Sequence, residues 1–456
     1  MQTYSGKSVA ILGLSVEGID STRFFVNEGA NVTCCDRRTK EKLGETYGKL
    51  GKLNVTFSLG DTYLNNLSRF EVIVRTPGMS LGTPELVGYR GTLTSQTKLF
   101  FDLCRAPIIG VTGTKGKGTT SSLIASMLKK SGKRVYLGGN VGTPLLSKVR
   151  AIAASSSVVL ELSSFQLEDL TKSPHIAVVL PITQDHLVNI DPLATSFHKT
   201  REEYISAKSS IVRFQTQKDT VIANLDNEVS KSFATQSPGK KYFVSRKKNT
   251  DAYVDDHRVF VRWDDKTHKV CGQDEIHLRG DHNLENIGAA SLAALAAGAT
   301  LRAARDGAKQ FKGLPHRLEL VGTVGGVSFY NDSFSTVPET TIAAIKSFDE
   351  PIILIAGGSE KGSDFRELGN AIANSRVKVL IVIGQMTDRI VKAARDVGFS
   401  GSIVTGLTTM GEIVPTGFKY AKPGDVVLLS PGCASFDMFP NYKERGKQFC
   451  YEVTRL

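Results

Sequence analysis

The sequence predicts an α/β protein made of three successive parallel-sheet units. Short apolar runs of strand length recur along the chain and end in Gly or a polar turn, helix-length segments separate them, and only residues 213–280 break the series with a polar, hairpin-like stretch. Apolar runs that do not alternate read as strands buried on both faces, and strands alternating with helices read as a parallel sheet.

In chain order, the first unit opens with V-A-I-L-G (9–13), a helix over Ser21 to Glu28, N-V-T-C-C-D (31–36) and E-V-I-V-R-T-P-G (71–78). The second starts at Ile108 and continues through V-V-L-E-L (158–162), I-A-V-V-L (176–180) and an Ala-rich helix over Ile287 to Ala297. Inside 213–280, V-F-V-R-W (259–263) alternates in and out as a half-buried hairpin strand does. The third unit follows G-L-P-H-R (313–317) with P-I-I-L-I-A-G-G (351–358), V-L-I-V-I-G (379–384) and D-V-V-L-L-S-P-G (425–432). The expected domains are 1–97, 98–313 and 314–456.

Composition narrows the function. A chain of 456 residues, 41% hydrophobic and 22% charged, is an ordinary globular protein with no run near the ~18 apolar residues of a membrane span, and Met1 to Lys7 do not resemble a signal peptide. The expectation is a cytoplasmic monomer. The six cysteines form no C-x-x-C pair, which argues against a zinc site or a disulfide framework. A net charge of +12 is spread along the chain without a dense basic run, so small anionic substrates or host composition explain it as well, and neither a nucleic-acid nor a membrane partner is expected.

V-T-G-T-K-G-K-G-T-T (111–120) lies between a buried strand and a helix. Glycines let backbone N–H groups turn inward, the helix offers its positive N-terminus, and Lys117 can reach phosphates, so Gly113, Thr114, Lys115, Gly116, Lys117, Gly118, Thr119 and Thr120 are candidate ATP contacts. The phosphate-loop pattern G-x-x-x-x-G-K-[ST] fails at Val111 and at Gly118. Thr119 or Thr120 is expected to supply the hydroxyl that position 118 lacks. The competing reading is a lysine-rich surface turn.

G-L-S-V-E-G (13–18), with Asp36 ending the next strand, resembles a dinucleotide fingerprint whose middle Gly has become Ser, which suits another nucleotide-like group at least as well as a hydride carrier. Glu161 ends a buried strand in L-E-L-S-S-F-Q-L-E (160–168), a place from which a carboxylate can hold Mg²⁺ beside a phosphate loop. His186 in T-Q-D-H is a candidate second ligand or a solvated loop histidine.

Together with G-G-N-V-G (138–142), E-Y-I-S-A-K (203–208), G-D-H-N-L-E-N (280–286), N-D-S (331–333), G-G-S-E-K (357–361) and S-P-G-C-A-S-F-D (430–437), these motifs resemble the Mur ligase family across essentially the whole chain, and within it the D-glutamate-adding branch. The resemblance implies an N-terminal Rossmann-like domain, a central P-loop ATPase domain and a C-terminal Rossmann-like domain that brings the amino acid. It implies ATP-driven amide formation through an acyl phosphate between UDP-N-acetylmuramoyl-L-alanine and D-glutamate, in peptidoglycan precursor synthesis.

By the same resemblance, Lys117, Glu161, His186 and Lys208 are catalytic, and Thr119, Glu161, His186 and Lys208 hold Mg²⁺, Lys208 as a carbamate. Asn283, Asn286, Arg317 and Asp332 join the loop at ATP. Ser15, Val16, Glu17, Asp36, Arg38, Thr76, Pro77 and Gly78 face the uridine diphosphate, with Asn140, Ser163 and Gln166 further along that substrate. Thr336, Lys361, Ser435 and Phe436 take D-glutamate.

Two substitutions and one length change depart from the family pattern: Gly118 in the loop, Phe334 where N-D-S is usually followed by Lys, and a longer stretch between His186 and Lys208. The alternatives are a folylpolyglutamate synthase-like ligase, whose loop also reads G-K-G but which lacks the first domain, and a P-loop ATPase or nucleotide sensor outside the ligases.

Overall fold

In N-V-T-C-C-D the two-residue period of a strand sends Cys34 and Cys35 to opposite faces, and both thiols are buried, one in each of two apolar clusters. A strand covered on both faces belongs inside a parallel sheet. The computed structural model describes residues 4–140, 142–183, 198–360 and 362–456. Its first sheet contains β1 (Ser8–Leu12), β2 (Asn31–Asp36), β3 (Val55–Leu59), β4 (Val72–Arg75) and β5 (Thr92–Ser95) in the order β3-β2-β1-β4-β5, all parallel.

The helix expected over 21–28 spans Val16–Asn27, five residues longer at its start, because Gly18 brings the first turn against the end of β1. A Cβ at Gly18 would stand 1.9 Å from the Gly13 carbonyl oxygen. Gly13 itself has φ +89° and faces Thr76, so the two outer glycines of G-L-S-V-E-G shape the turn while Ser15 and Val16 stay exposed.

The second sheet contains β6 (Ile108–Thr112), β7 (Val135–Gly139), β8 (Ser157–Glu161), β9 (Ile176–Val179), β10 (Thr220–Asn224), β11 (Lys240–Ser245), β12 (Ala252–Asp255), β13 (Arg258–Trp263) and β14 (Lys266–Gly272). Its order is β14-β13-β12-β11-β10-β9-β6-β8-β7. The hairpin expectation for 213–280 holds only in its second half. β10 and β11 continue the parallel sheet, joined by the helix Glu228–Gln236, because T-V-I-A-N and K-K-Y-F-V-S each supply enough apolar side chains to cover a strand. From β12 onward the chain reverses through Asp256-His257, both at positive φ, as a two-residue hairpin turn requires. V-F-V-R-W alternates as expected, with Val259 and Val261 buried and Arg262 exposed.

The third sheet contains β15 (Glu319–Val324), β16 (Val327–Asn331), β17 (Ile352–Gly357), β18 (Val377–Ile383), β19 (Ser402–Val404) and β20 (Val426–Leu429) in the order β15-β16-β20-β17-β18-β19. Only the β15–β16 pair is antiparallel.

The chain is thus a three-domain α/β protein. Residues 1–271 and 285–308 make one compact unit, which holds the first two sheets, and residues 272–284 and 309–456 make another, which holds the third. All six cysteines are free thiols. Among the described residues, no helix is long and apolar enough to cross a membrane.

Gly18→Ala should lower stability by about 1–3 kcal/mol, since the added methyl meets backbone rather than a yielding side chain. Urea unfolding of the two proteins, with the same slope and a lower midpoint for the variant, checks it.

Candidate active site

Open α/β sheets keep their ligands at the carboxyl ends of the strands, where neighbouring crossovers diverge. In the central sheet that place is β6, flanked by β8 and β9. The loop after β6 passes so close to its neighbours that side chains are excluded: a Cβ at Gly113 would lie 2.6 Å from Leu180, and one at Gly116 would lie 2.6 Å from Asn286 Oδ1. Gly116 at φ +83° then opens the helix Lys117–Lys130, with Gly118 buried in its first turn.

Thr114 fastens the loop, because its hydroxyl accepts the Thr183 N–H at 2.9 Å and lies 3.1 Å from the Tyr204 hydroxyl. Lys117 Nζ curls back to donate to the carbonyls of Gly113 (3.1 Å) and Thr114 (2.8 Å). Lys115 is exposed and Thr119 half-buried, while Thr120 is fully buried with a hydroxyl that has no partner among the described residues.

Strand register sets Glu161 opposite Val111, next to that loop. Glu161 is 2% exposed; Asn140 Nδ2 donates to its Oε1 at 3.1 Å, and its Oε2 is buried without a partner among the described residues. Lys208 is no surface lysine: it is 1% exposed, donates to the Gly113 carbonyl at 3.1 Å, and lies 4.7 Å from the Tyr204 ring centre. Tyr204 and Lys208 share a face of the helix Arg201–Arg213 by their i,i+4 spacing, a signal already present in E-Y-I-S-A-K. The orphaned Glu161 oxygen fits a hard divalent cation, and the orphaned Thr120 hydroxyl beside the glycine cradle fits a phosphate oxygen. His186 and Lys361 lie outside the described residues.

A second cluster joins the first domain to the central one. Asp36 is 5% exposed and fully engaged: it accepts the Leu14 N–H at 2.7 Å and Arg38 Nη2 at 2.8 Å. Burial pushes its carboxyl up, but the bonds from Arg38 and Leu14 outweigh this and hold it below the usual range. Ser163 and Gln166 form a capping box at the helix Ser164–Leu167, and Gln166 Nε2 crosses to Glu17 Oε1 at 2.6 Å. Glu17 Oε2 has no partner among the described residues, and burial lifts this carboxyl to about 7 against the pull of Gln166 and Arg75, with Asp169 and Asp20 pushing the same way as burial. Thr76 and Pro77 are half-buried and Gly78 is exposed on the turn after β4.

In the second unit, Asp332 follows directly on β16, accepts the Leu318 N–H (3.1 Å) and the hydroxyls of Ser335 (2.5 Å) and Ser430 (2.8 Å), and burial raises it to about 6. Arg317 lies over the Phe334 ring at 3.9 Å. Asn283 donates to the Arg279 carbonyl at 2.7 Å. Thr336 is half-buried, Ser435 is 2% exposed and Phe436 is 71% exposed. Sequence reasoning missed Arg445, which is wholly buried and donates to Ser333 Oγ (2.9 Å) and to the carbonyls of Cys433 (3.2 Å) and Ala434 (3.3 Å). It ties the N-D-S turn to the C-A-S turn, and burial lowers its guanidinium to about 10.

Three family models match in order: the Mur ligase MurD-like N-terminal domain over 7–91, the Mur ligase middle domain over 111–294, and the Mur ligase glutamate ligase domain over 316–433. The chain belongs to the Mur ligase family. Its sequence is 40% identical to the UDP-N-acetylmuramoylalanine–D-glutamate ligase of Symbiobacterium thermophilum over 96% of both chains. It is also 40% identical to the enzyme of that name from Acetivibrio thermocellus, over 97% of this chain and 95% of the relative. Two other Mur ligases share the fold at low identity. The alanine ligase MurC of Thermotoga maritima superposes with a TM-score of 0.61 at 16% identity, over 98% of this chain and 99% of its own. MurF of the same organism, solved with ADP, gives 0.57 at 16% identity, over 99% and 96%.

Glu17→Gln should remove a pH dependence. A carboxyl raised from about 4.5 to about 7 on folding favours the folded state below the lower value, and that contribution is lost as pH rises through the upper one. Thermal melts from pH 4 to pH 8 should show the parent losing stability relative to the variant across this window; parallel curves would count against it.

Proposed function

We infer that this chain is the ATP-dependent amide ligase that adds D-glutamate to UDP-N-acetylmuramoyl-L-alanine in peptidoglycan precursor synthesis. The observation that carries the reading is full-length identity of 40% to ligases of that name. The assigned domains are 1–97 for the uridine diphosphate, 98–313 for ATP and 314–456 for the amino acid, acting as a cytoplasmic monomer on small molecules.

The muramoyl-alanine carboxylate attacks the γ-phosphorus of ATP, giving an acyl phosphate and ADP. The amine of D-glutamate then adds to the acyl carbon, and phosphate leaves as the amide forms. Carboxylate, triphosphate and glutamate are all anions, so the reaction needs fixed cations and donors. Lys117 exchanges its loop carbonyls for the transferring phosphate, and the glycine cradle offers backbone N–H groups with no side chain in the way. Asn140, by holding one oxygen of Glu161, leaves the other aimed for a cation.

Mg²⁺, when bound, neutralises phosphate charge. The residues assigned to hold it are Thr119, Glu161, His186 and Lys208. Lys208 serves as a carbamate, since an ammonium has the wrong sign for a cation site while an anionic oxygen suits a hard ion. Asn283, Asn286, Arg317 and Asp332 are assigned to ATP, and Thr336, Lys361, Ser435 and Phe436 to D-glutamate. Asp36 orients Arg38 toward the uridine end rather than meeting it alone.

Phosphate release should require UDP-N-acetylmuramoyl-L-alanine and D-glutamate together. Release with a folate substrate, or stimulated by polynucleotide, would replace this reading with one of its rivals. Lys208→Ala should lose roughly tenfold or more of its turnover and regain part of it when acetate is supplied as a diffusible anion. Near-parental turnover at low bicarbonate would remove the carbamate from the mechanism.

A further inference from the structure

Arg75 closes β4, and the chemistry above leaves it unused. Its side chain is 0% exposed, yet its guanidinium is shared between two domains of the first unit. Nη1 donates to the Met79 carbonyl at 3.0 Å and so closes the Thr76–Met79 turn. Nη2 reaches across to the Phe165 carbonyl at 3.3 Å, to Glu168 Oε1 at 2.9 Å and to Asp169 Oδ2 at 3.4 Å. Those three residues lie in or directly after the turn capped by Ser163 and Gln166.

One planar fork therefore touches both peptide stretches that line the uridine-linked substrate in the reading above. We propose that Arg75 is a positioning residue for that substrate, fixing the spacing between the Thr76–Met79 turn and the Ser163–Gln166 turn; the inference rests on that reading. The far side of the clasp is itself anchored, because Ser95 Oγ donates to Asp169 Oδ1 at 3.1 Å while capping the helix Gln96–Leu103. Gln96 continues the line, donating to the Glu17 carbonyl at 3.0 Å and to Asp20 Oδ2 at 3.1 Å. A buried ion cluster is a poor source of stability compared with apolar packing, but it fixes geometry, and a guanidinium fork serves several acceptors in one plane where an ammonium is a single point.

Steady-state kinetics on the full chain tests this with Arg75→Met, Arg75→Lys and the double variant Arg75→Met/Glu168→Gln, which also removes one abandoned buried charge. Arg75→Met should raise KM for UDP-N-acetylmuramoyl-L-alanine about tenfold while KM for ATP and D-glutamate stays within about twofold, with Arg75→Lys between it and the parent. If Arg75→Met does not fold, the double variant and Arg75→Lys carry the same comparison. An unchanged KM for the uridine substrate, or equal rises for all three substrates, overturns the proposal. Hydrogen exchange without ligand separates this from the functional reading. Arg75→Met should lose amide protection at 76–79 and 163–169; unchanged protection there overturns the positioning role, whereas a parent that releases no phosphate with its two acceptor substrates overturns the function instead.

Discussion

The central sheet can present its glycine loop only because the chain passes its neighbours there more closely than a Cβ permits. Gly139 would drive a Cβ to 2.1 Å from the Glu161 carbonyl oxygen, and Gly113 has Leu180 against it. These contacts bring Asn140 to Glu161 and put the loop carbonyls within reach of both Lys117 and Lys208. The third domain repeats the device: Gly358 passes the Ala434 carbonyl, where a Cβ would stand 2.1 Å away, and the Ser359–Ala434 bridge then sets the turn bearing Ser435. In each case a strand end opens into a close-packed turn because its glycines remove bulk, and the polar groups exposed by that removal need partners.

Some of these polar groups find local partners, as Lys117 does on its own loop, and others find partners far along the chain. Arg445 reaches back more than a hundred positions to Ser333, and Ser147 answers Asp20 across a similar span. Such pairs fix one turn against another across the sequence without adding apolar bulk at the strand ends.

This division explains what could be read in advance. The strands, the glycine loop and Glu161 were legible because each is a local pattern of apolar run, turn residue and carboxylate. The parallel strands at 220–245 were not, since Lys240 and Lys241 make the second of them look solvated although Tyr242 and Val244 are buried. Arg75 escaped for a related reason: a charged residue ending an apolar run looks like the point where a strand meets water, and its partners at 165–169 lie some ninety positions away. Lys208 lies between these cases, since its spacing from Tyr204 is a local pattern while its burial against the loop comes from tertiary packing.

The free thiols have a chemical consequence for anyone seeking to inactivate the enzyme covalently. Burial raises Cys34 to about 11 and Cys35 and Cys433 to about 12, although Cys433 belongs to the turn next to Ser435. At neutral pH such sulfurs carry a thiolate fraction on the order of one in ten thousand or less, and the thiolate is the nucleophile. Electrophilic warheads and mild oxidants therefore find little to react with at these three positions, and a cysteine's place in the third domain is no guide to its value as a target.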